Sequence, residues 1–449
     1  MSRNLYWIWL AQRLGAGRSG LVELISHFGT PENIYNADEA ELCAFGKGLK
    51  DSRIGALLDK NLDNAYSIER YCDKNSIEVL KYGEKNYPAM LMDLKNPPVV
   101  LYAKGNVKIL NNRVCIGVVG TRKLTEYGRQ SAYKIGYELA ACGAVVVSGL
   151  ALGIDAVAAC GALDARGKTI AVLGSGVDHV YPAAHKKLAD KIVKNGLLIS
   201  EYPPLESPNR GSFPTRNRII SGLSQGTLVV EANDRSGALI TAKDAILQGR
   251  SVYALPGNVD NPTSNGTNAL IKDGATPITC AADILENYKY IYRESVDMSA
   301  ISRVGARSQL KAGALAAYGV EESDWSFKPK EKGSVSLLLH DKKRVDGETV
   351  NKMVGNTEYP KFEDPPALKK EISEGEDKQR ACSDNSSEIL KSLDKKYSDV
   401  FEAIPIGKPA NLAELCRCGY DSRTVMSVLT TLELKGLVNI LPGGLYSRK

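Results

Sequence analysis

The sequence predicts an α/β protein in which a mostly parallel sheet is covered by helices on both faces, with a small helical domain before it and a winged helix after it. Three observations carry that prediction. Between Cys115 and Pro277 short β-branched runs alternate with segments long enough for helices. Those runs are apolar throughout rather than alternating, which means burial on both faces and therefore parallel strands between helix layers. The stretch from Glu388 to Lys449 reads helix, helix, helix, hairpin.

At 449 residues the chain is too long for one core, and the usual domain size gives roughly two to four domains. Residues 1 to 90 form the first. Leu10, Leu14, Leu21, Leu24, Ile25 and Phe28 recur at helical spacing, broken by Gly15, Gly17, Gly29 and Pro31, which describes a small bundle. Gly15-Ala16-Gly17 before Arg18 has two readings: a helix-hairpin-helix glycine turn whose amides meet a DNA phosphate, or a tight turn between packing helices. Residues 91–293 hold the sheet, with strands expected at Val114–Val119, Ala144–Ser148, Thr169–Leu173, Leu197–Ser200, Thr227–Glu231 and Ser251–Ala254. In such sheets ligands collect beyond the carboxyl ends of the strands, near the switch in strand order.

From 294 to 385 periodicity is lost, prolines 360, 365 and 366 intervene, and a charged, disordered linker is expected, with Val335–Leu339 as a short apolar piece. Glu321 to Arg380 carries 14 acidic and 12 basic residues, a net of −2, so the rest of the chain carries +8 of the +6 total. Residues 386–449 are the winged helix. Ile389, Leu390, Leu393 and Phe401, then Leu412 and Leu415, then Val425, Val428, Leu429 and Leu432 supply its helical faces. Asp421-Ser422 caps the third helix, and Pro442-Gly443-Gly444 turns the hairpin.

Composition narrows the function classes. A modest positive charge permits association with nucleic acid or an acidic membrane surface without specifying either. Nine cysteines, scattered singly apart from Cys416-Arg-Cys418, show neither a disulfide framework nor zinc spacing, and four histidines do not cluster. The apolar run Leu5–Ala11 is too short to span a membrane. A cytoplasmic protein with reduced thiols, no metal and no cofactor is expected.

Four constellations in the central region point to an anionic partner. Cys115–Val119 runs into Gly120-Thr121-Arg122, a strand–glycine–helix joint that offers backbone N–H groups and an arginine fork to a phosphate. Ser148–Asp155 is a second such joint, with Asp155 bracing the loop. Arg210-Gly-Ser-Phe213-Pro-Thr-Arg216-Asn217-Arg218 interleaves three arginines with an aromatic, which suits phosphates and an unpaired base; alternatively Phe213 anchors the loop and some arginines pair with Glu201, Glu206 or Glu231. The fourth runs from Glu231 to Lys243, where Ser236, Gly237 and Thr241 present hydroxyls and amides and Lys243 lies one turn into the helix. Glu231 is expected to order an arginine. His179 and His185 flank Tyr181-Pro182 without a nucleophile or a carboxylate pair beside them, which favours binding over turnover.

At these residues, with the Gly174–Pro182 segment and Pro256-Gly257, the chain resembles the bacterial DNA-processing protein A (DprA/Smf) family over essentially the whole of 105–285. The resemblance implies an extended Rossmann fold with a sterile-alpha-motif or helix-hairpin-helix-like N-terminal domain and a C-terminal winged helix. It further implies binding of single-stranded DNA without sequence preference, dimerisation late in the Rossmann domain around Asn268, Leu270 and Ile271, and loading of the RecA recombinase during natural transformation. Carried over by position, Gly120, Thr121 and Arg122 hold a phosphate, Arg210 adds a cation where a lysine is expected, and Phe213 stacks on a base. Arg216, Asn217, Arg218, Ser236, Gly237 and Lys243 complete the expected DNA site, some as supports. The third winged-helix helix, with Arg423 and Lys435 but also Glu433, suits a protein contact or weak DNA binding. A nucleotide-monophosphate phosphoribohydrolase shares such a sheet, but its Pro-Gly-Gly-X-Gly-Thr loop is absent: Pro256-Gly257 continues as Asn258-Val259-Asp260.

Overall fold

The computed structural model describes residues 4–45, 51–320, 395–405, 410–415, 419–420, 422–434, 437–441 and 445–448, and the chain divides into two compact units, Met1–Ser336 and Leu337–Lys449. The first begins with six helices: α1 (Leu5–Leu14), α2 (Leu21–Phe28), α3 (Pro31–Asn36), α4 (Glu39–Phe45), α5 (Asp51–Leu58) and α6 (Asp63–Lys74). Leu10, Leu14, Leu21, Leu24 and Ile25 are buried, as their spacing requires. Thr30 starts α3 by accepting the Asn33 N–H, with Pro31 at the first helical position. The Trp9 indole donates to the Asp59 carbonyl at 3.0 Å and the Tyr35 hydroxyl to the Lys60 carbonyl at 2.9 Å, which ties α1 and α3 to the end of α5.

The sheet follows: β1 (Glu78–Lys81), α7 (Ala89–Met92), β2 (Val100–Gly105), β3 (Cys115–Val119), α8 (Glu126–Ala141), β4 (Val145–Ser148), α9 (Ile154–Asp164), β5 (Lys168–Leu173), α10 (Lys186–Asn195), β6 (Leu197–Ser200), α11 (Ser212–Gly222), β7 (Gly226–Val229), α12 (Gly237–Leu247), β8 (Ser251–Ala254), α13 (Asn265–Lys272) and β9 (Thr276–Pro277). Strand order is β1-β2-β6-β5-β4-β3-β7-β8-β9. The strands from β6 to β9 are parallel; β2 runs antiparallel to β6, and β1 to β2. All six strands read from the sequence are present. β1 lies inside the 1–90 stretch read as helical and belongs to the sheet.

Alternate residues of each strand feed opposite cores. Ile116, Val118, Val146 and Leu198 pack with α8, α9 and α10, while Cys115, Val119, Val145, Val147, Ile170 and Val172 pack with α11 and α12 through Ile219, Ile220, Leu223, Ala238 and Ala242. Among the described residues no helix is long and apolar enough to cross a membrane.

The linker expected from 294 starts too early. After α14 (Ala281–Leu285), residues 294–320 fold onto the α8–α9 face through α15 (Ser299–Val304) and two 3-10 turns. Val296, Ala300, Leu315, Tyr318 and Val320 are buried there. Asp164 on α9 accepts the Tyr133 hydroxyl at 2.6 Å and also that of Tyr318. The segment is itself apolar, with Val296, Val304, Leu310, Leu315, Tyr318 and Val320 turned inward, and is hidden when read together with the charged stretch after 320. Residues 321–385, with Val335–Leu339, lie outside the described residues.

The second unit contains α16 (Lys395–Ala403), α17 (Leu412–Leu415) and α18 (Ser422–Leu434) with a three-stranded sheet of β10 (Ala410–Asn411), β11 (Val438–Leu441) and β12 (Leu445–Arg448), ordered β10-β12-β11. Its core is Val400, Phe401, Leu415, Val425, Val428, Leu429, Leu432, Val438 and Tyr446. This is the expected winged helix. Ile389, Leu390, Leu393, Asp421 and residues 442–444 lie outside the described residues.

Candidate nucleic-acid interface

From β3 the chain steps one way through β4, β5 and β6, then returns to place β7 on the other side of β3. The switch point therefore lies between β3 and β7, and a cleft of about 590 Å³ opens there, beyond their carboxyl ends. Gly120, Thr121, Arg122, Arg210, Phe213, Arg216, Asn217, Ser236 and Gly237 all line it. Arg218 and Lys243 do not.

Two interlocked loops form the floor. After β3, the Thr121 N–H donates to the Glu231 carbonyl at 2.8 Å, and the Thr121 hydroxyl closes a turn on the Lys123 N–H at 3.2 Å. After β4, the Gly149 N–H donates to Asp155 Oδ2 at 2.8 Å. Leu150, fully buried, sits at φ +55, a conformation a bulky residue adopts only when its surroundings impose it. His185 Nδ1 donates to its carbonyl at 2.9 Å. Gly153, at φ +80, lets the second loop press on the first: a side chain there would run into the Thr121 carbonyl.

The walls are helix N-termini. Asn209 Oδ1 accepts the N–H groups of Gly211 and Ser212, both at 2.9 Å, and so starts α11. Ser236 caps α12 by accepting the Ala238 N–H at 3.3 Å. Neither helix has an acidic residue in its first turn, so both positive ends face the cleft uncompensated.

The arginines divide into two sets. Arg122 and Arg210 are exposed and, among the described residues, form no ion pair; the same holds for Arg235, in the β7–α12 loop, which also lines the cleft. Arg216 is turned inward, 4% exposed, donating to the carbonyls of Gly149, at 2.7 Å, and Val172. Burial lowers its pKa to about 10, with Asp155 opposing, so it stays a cation at neutral pH. Burial pushes the Asp155 carboxyl up, while Arg216, the Gly149 and Ala151 amides and Arg122 pull it down. Arg218 points away from the cleft, to the Asn96 carbonyl at 2.5 Å and to Glu201, whose other oxygen accepts the Gly17 N–H at 3.1 Å. That amide of the Gly15-Ala16-Gly17 turn is thus spent inside the protein. Both arginines that sequence alone left between binding and support are thus engaged with partners inside the protein. Lys243 is exposed on α12, outside the cleft.

Glu231 departs from its expected role. Among the described residues it orders no arginine; its carboxylate, 1% exposed, accepts the Thr125 N–H at 2.9 Å and hydroxyl at 2.5 Å and the Thr263 hydroxyl at 3.1 Å. It lies under the start of α8, where Gly128 leaves room for it and the helix dipole favours its charge.

The aromatic side is a pair. Half-buried Phe213 meets Tyr181 with ring centroids 5.6 Å apart and planes at 45°, and the Arg122 guanidinium lies 5.6 Å from the Phe213 centroid. Sequence reading missed Tyr181 and Arg235. Both lie inside segments picked out from the sequence, Tyr181 between His179 and His185 and Arg235 between Glu231 and Ser236.

Fold and cleft together define a doubly wound α/β protein that offers a polyanion free arginines, helix N-termini and an aromatic wall, in a chain that also carries a winged helix. A family model described as DNA recombination-mediator protein A matches residues 78–289, and one described as DprA winged helix domain matches residues 387–444. The chain is 43% identical to the DNA processing protein DprA of Bacillus subtilis over 213 residues, covering 47% of this chain and 72% of that protein. It is 40% identical to the Streptococcus pneumoniae DNA processing protein DprA over 231 residues, 51% of this chain and 79% of that one. The X-ray structure of DNA processing protein A from S. pneumoniae matches the fold with a TM-score of 0.55 at 33% identity, covering 64% of this chain and 98% of that one. The chain belongs to the DprA/Smf family of DNA processing proteins.

Proposed function

We propose that the protein binds single-stranded DNA in this cleft without regard to sequence, and hands the strand to a RecA-type recombinase during uptake and recombination of DNA in the cytoplasm. The observation that carries the reading is the convergence of three exposed arginines, Arg122, Arg210 and Arg235, which form no ion pair among the described residues, on a cleft walled by Phe213 and Tyr181. Arginine and helix N-termini neutralise phosphates of any sequence, and aromatic faces accept any unpaired base. Within this reading Gly120, Thr121, Asn217, Ser236 and Gly237 contact or position the backbone, Arg216 and Arg218 hold the walls, and Lys243 extends the basic track beyond the cleft.

Binding rather than turnover fits the carboxylates. The one acid lining the cleft, Asp155, is held by Gly149 and faces Arg216, and Glu231 is committed to two threonines. The homodimer assigned to the family fits the α13 surface. Asn268 there is engaged with both backbone groups of Gly257 at 3.1 and 3.2 Å, which leaves Ile271 and Val259, 81% exposed, as the apolar contacts. The test is competition between single strands and matched duplex for the full-length protein, followed by recombinase filament assembly on coated strands. Preference for duplex, or no binding, overturns the reading; sedimentation of Ile271→Glu tests the dimer.

A further inference from the structure

We propose that a second cavity, at the seam between the helical bundle and the sheet, is a site for a guanine ring, held by Glu206 on one edge and by Tyr102 and Arg13 on the other. The cavity measures about 370 Å³, inside the ~300–1,000 Å³ range of small-molecule sites, and shares no lining residue with the cleft. The end of α1 with its glycine turn, the start of α6, β2 and the β6–α11 loop all contribute to its wall. Three polar side chains there have hydrogen-bonding capacity that no described residue meets. Tyr102 is 1% exposed, and its hydroxyl has no partner. Arg13 has Nη1 on Asp59 at 2.7 Å and Nη2 on the Asn61 carbonyl at 2.9 Å, which leaves its buried Nε–H without one. The Glu206 carboxylate is half-buried and unpaired among the described residues, and burial pushes its pKa up. Its neighbour Glu201 is already committed, to the Gly17 N–H at 3.1 Å and to Arg218. Buried polar groups left unmet cost free energy, which a ligand that meets them recovers.

These groups select the chemistry of the ligand. An ammonium would suit Glu206 but meet the Arg13 guanidinium; a phosphate or carboxylate would suit Arg13 and Tyr102 but stand beside Glu201 and Glu206. A neutral ring with donors on one edge and acceptors on the next satisfies all three. Guanine has that layout. Its N1–H and N2 amino group lie side by side, matched to the two oxygens of a carboxylate, and its O6 and N7 accept, as the Tyr102 hydroxyl and the Arg13 Nε–H require. Among the common bases only guanine sets two donors next to each other, so adenine would leave one Glu206 oxygen unmet. Tyr202 and Pro203 supply apolar wall for the ring. A free nucleoside and a base within a strand carry the same ring.

The test is titration calorimetry of full-length wild type, Glu206→Gln and Tyr102→Phe with guanosine and with adenosine, and strand binding by oligothymidylates with and without interspersed guanines. Wild type is expected to bind guanosine in preference to adenosine. Glu206→Gln should weaken guanosine by roughly 10- to 150-fold, the range for hydrogen bonds to a charged group, and leave the plain oligothymidylate unaffected. Tyr102→Phe should weaken guanosine by roughly 2- to 10-fold while the melting temperature of the free protein does not fall, because the hydroxyl has no partner to lose. Guanines that tighten strand binding in wild type but not in Glu206→Gln assign the ring to a strand; guanosine binding with no effect of strand guanines assigns it to the free nucleoside. Failure of both guanosine and guanine-bearing strands to engage the cavity overturns the proposal. So does adenosine binding as tightly as guanosine, or a Glu206→Gln variant that keeps wild-type affinity.

Discussion

The division of the arginines makes a quantitative prediction about salt. Each phosphate neutralised on a single strand contributes about −0.7 to the slope of log K against log salt. Arg122, Arg210 and Arg235 are exposed and, among the described residues, form no ion pair, so the cleft should contribute a slope of about −2, or roughly a twentyfold loss of affinity between 50 and 200 mM salt. Replacing any one by alanine should flatten the slope by about 0.7, which is roughly a threefold smaller loss over that range. Arg216 and Arg218 should behave differently although they sit in the same motif. Arg216 is 4% exposed against carbonyls and Asp155, and the Arg218 side chain is 13% exposed against Glu201, itself 8% exposed. Removing either strands a buried carboxylate, at a cost on the order of 3 kcal/mol in stability, and leaves the slope of the folded fraction unchanged. Fluorescence anisotropy of a labelled strand, titrated at several salt concentrations below each variant's melting temperature, measures both effects. An Arg218→Ala variant that flattens the slope, or an Arg235→Ala variant that does not, would refute the assignment.

Leu315→Ala should lower stability by about 2–5 kcal/mol, the cost of a large-to-small change at a fully buried site, whereas a tether residue would cost nothing; urea unfolding distinguishes them. Gly17→Ala puts a Cβ 2.5 Å from Thr215 Cγ2 at a backbone φ of +70, so its melting temperature should fall while its salt slope stays at the wild-type value. His185 is fully buried, and burial lowers its pKa while the bond to Leu150 raises it less. The unfolded chain therefore takes up the proton first as pH falls through about 6.5, so stability should be full above that pH and decline below it. Melting temperatures between pH 7.5 and 5.5 should fall for wild type and fall less for His185→Asn; equal falls would exclude His185 as the source.

The central strands were legible because burial on both faces leaves runs of β-branched residues that no polar alternation interrupts: β6 and β8 were found at their true ends. β1 was hidden because its Glu-Val-Leu-Lys run is short and ends in charge, as an edge strand should. β2 follows two prolines, which read as loop, and β9 is two residues long and contains Pro277. Composition misled between 294 and 320, where an apolar segment merges in sequence with the charged stretch that follows it. At the site the residue types were legible, but not their directions. From Phe213 to Arg218 the chain is already helical, so Phe213 and Asn217, four apart, share the cleft face while Arg216 and Arg218 turn to the sheet and to Glu201.

That helical twist also explains how a cationic surface is kept clear of its own acids. Five arginines surround α11 and the loops beside it: Arg122, Arg210, Arg216, Arg218 and Arg235. Asp155 and Glu201 stand behind the cleft wall, where each draws one arginine inward and also accepts a backbone N–H, from Gly149 and Gly17 respectively. Each pair is thereby fixed by a hydrogen bond besides its charge, as a buried pair requires if desolvation is to be offset. The pairs lock α11 to the β4 loop on one side and to the helical bundle on the other. Anchored from behind at Arg216 and Arg218, the helix presents Phe213 at its free N-terminus, and the three exposed arginines, which form no ion pair among the described residues, are left to meet a ligand.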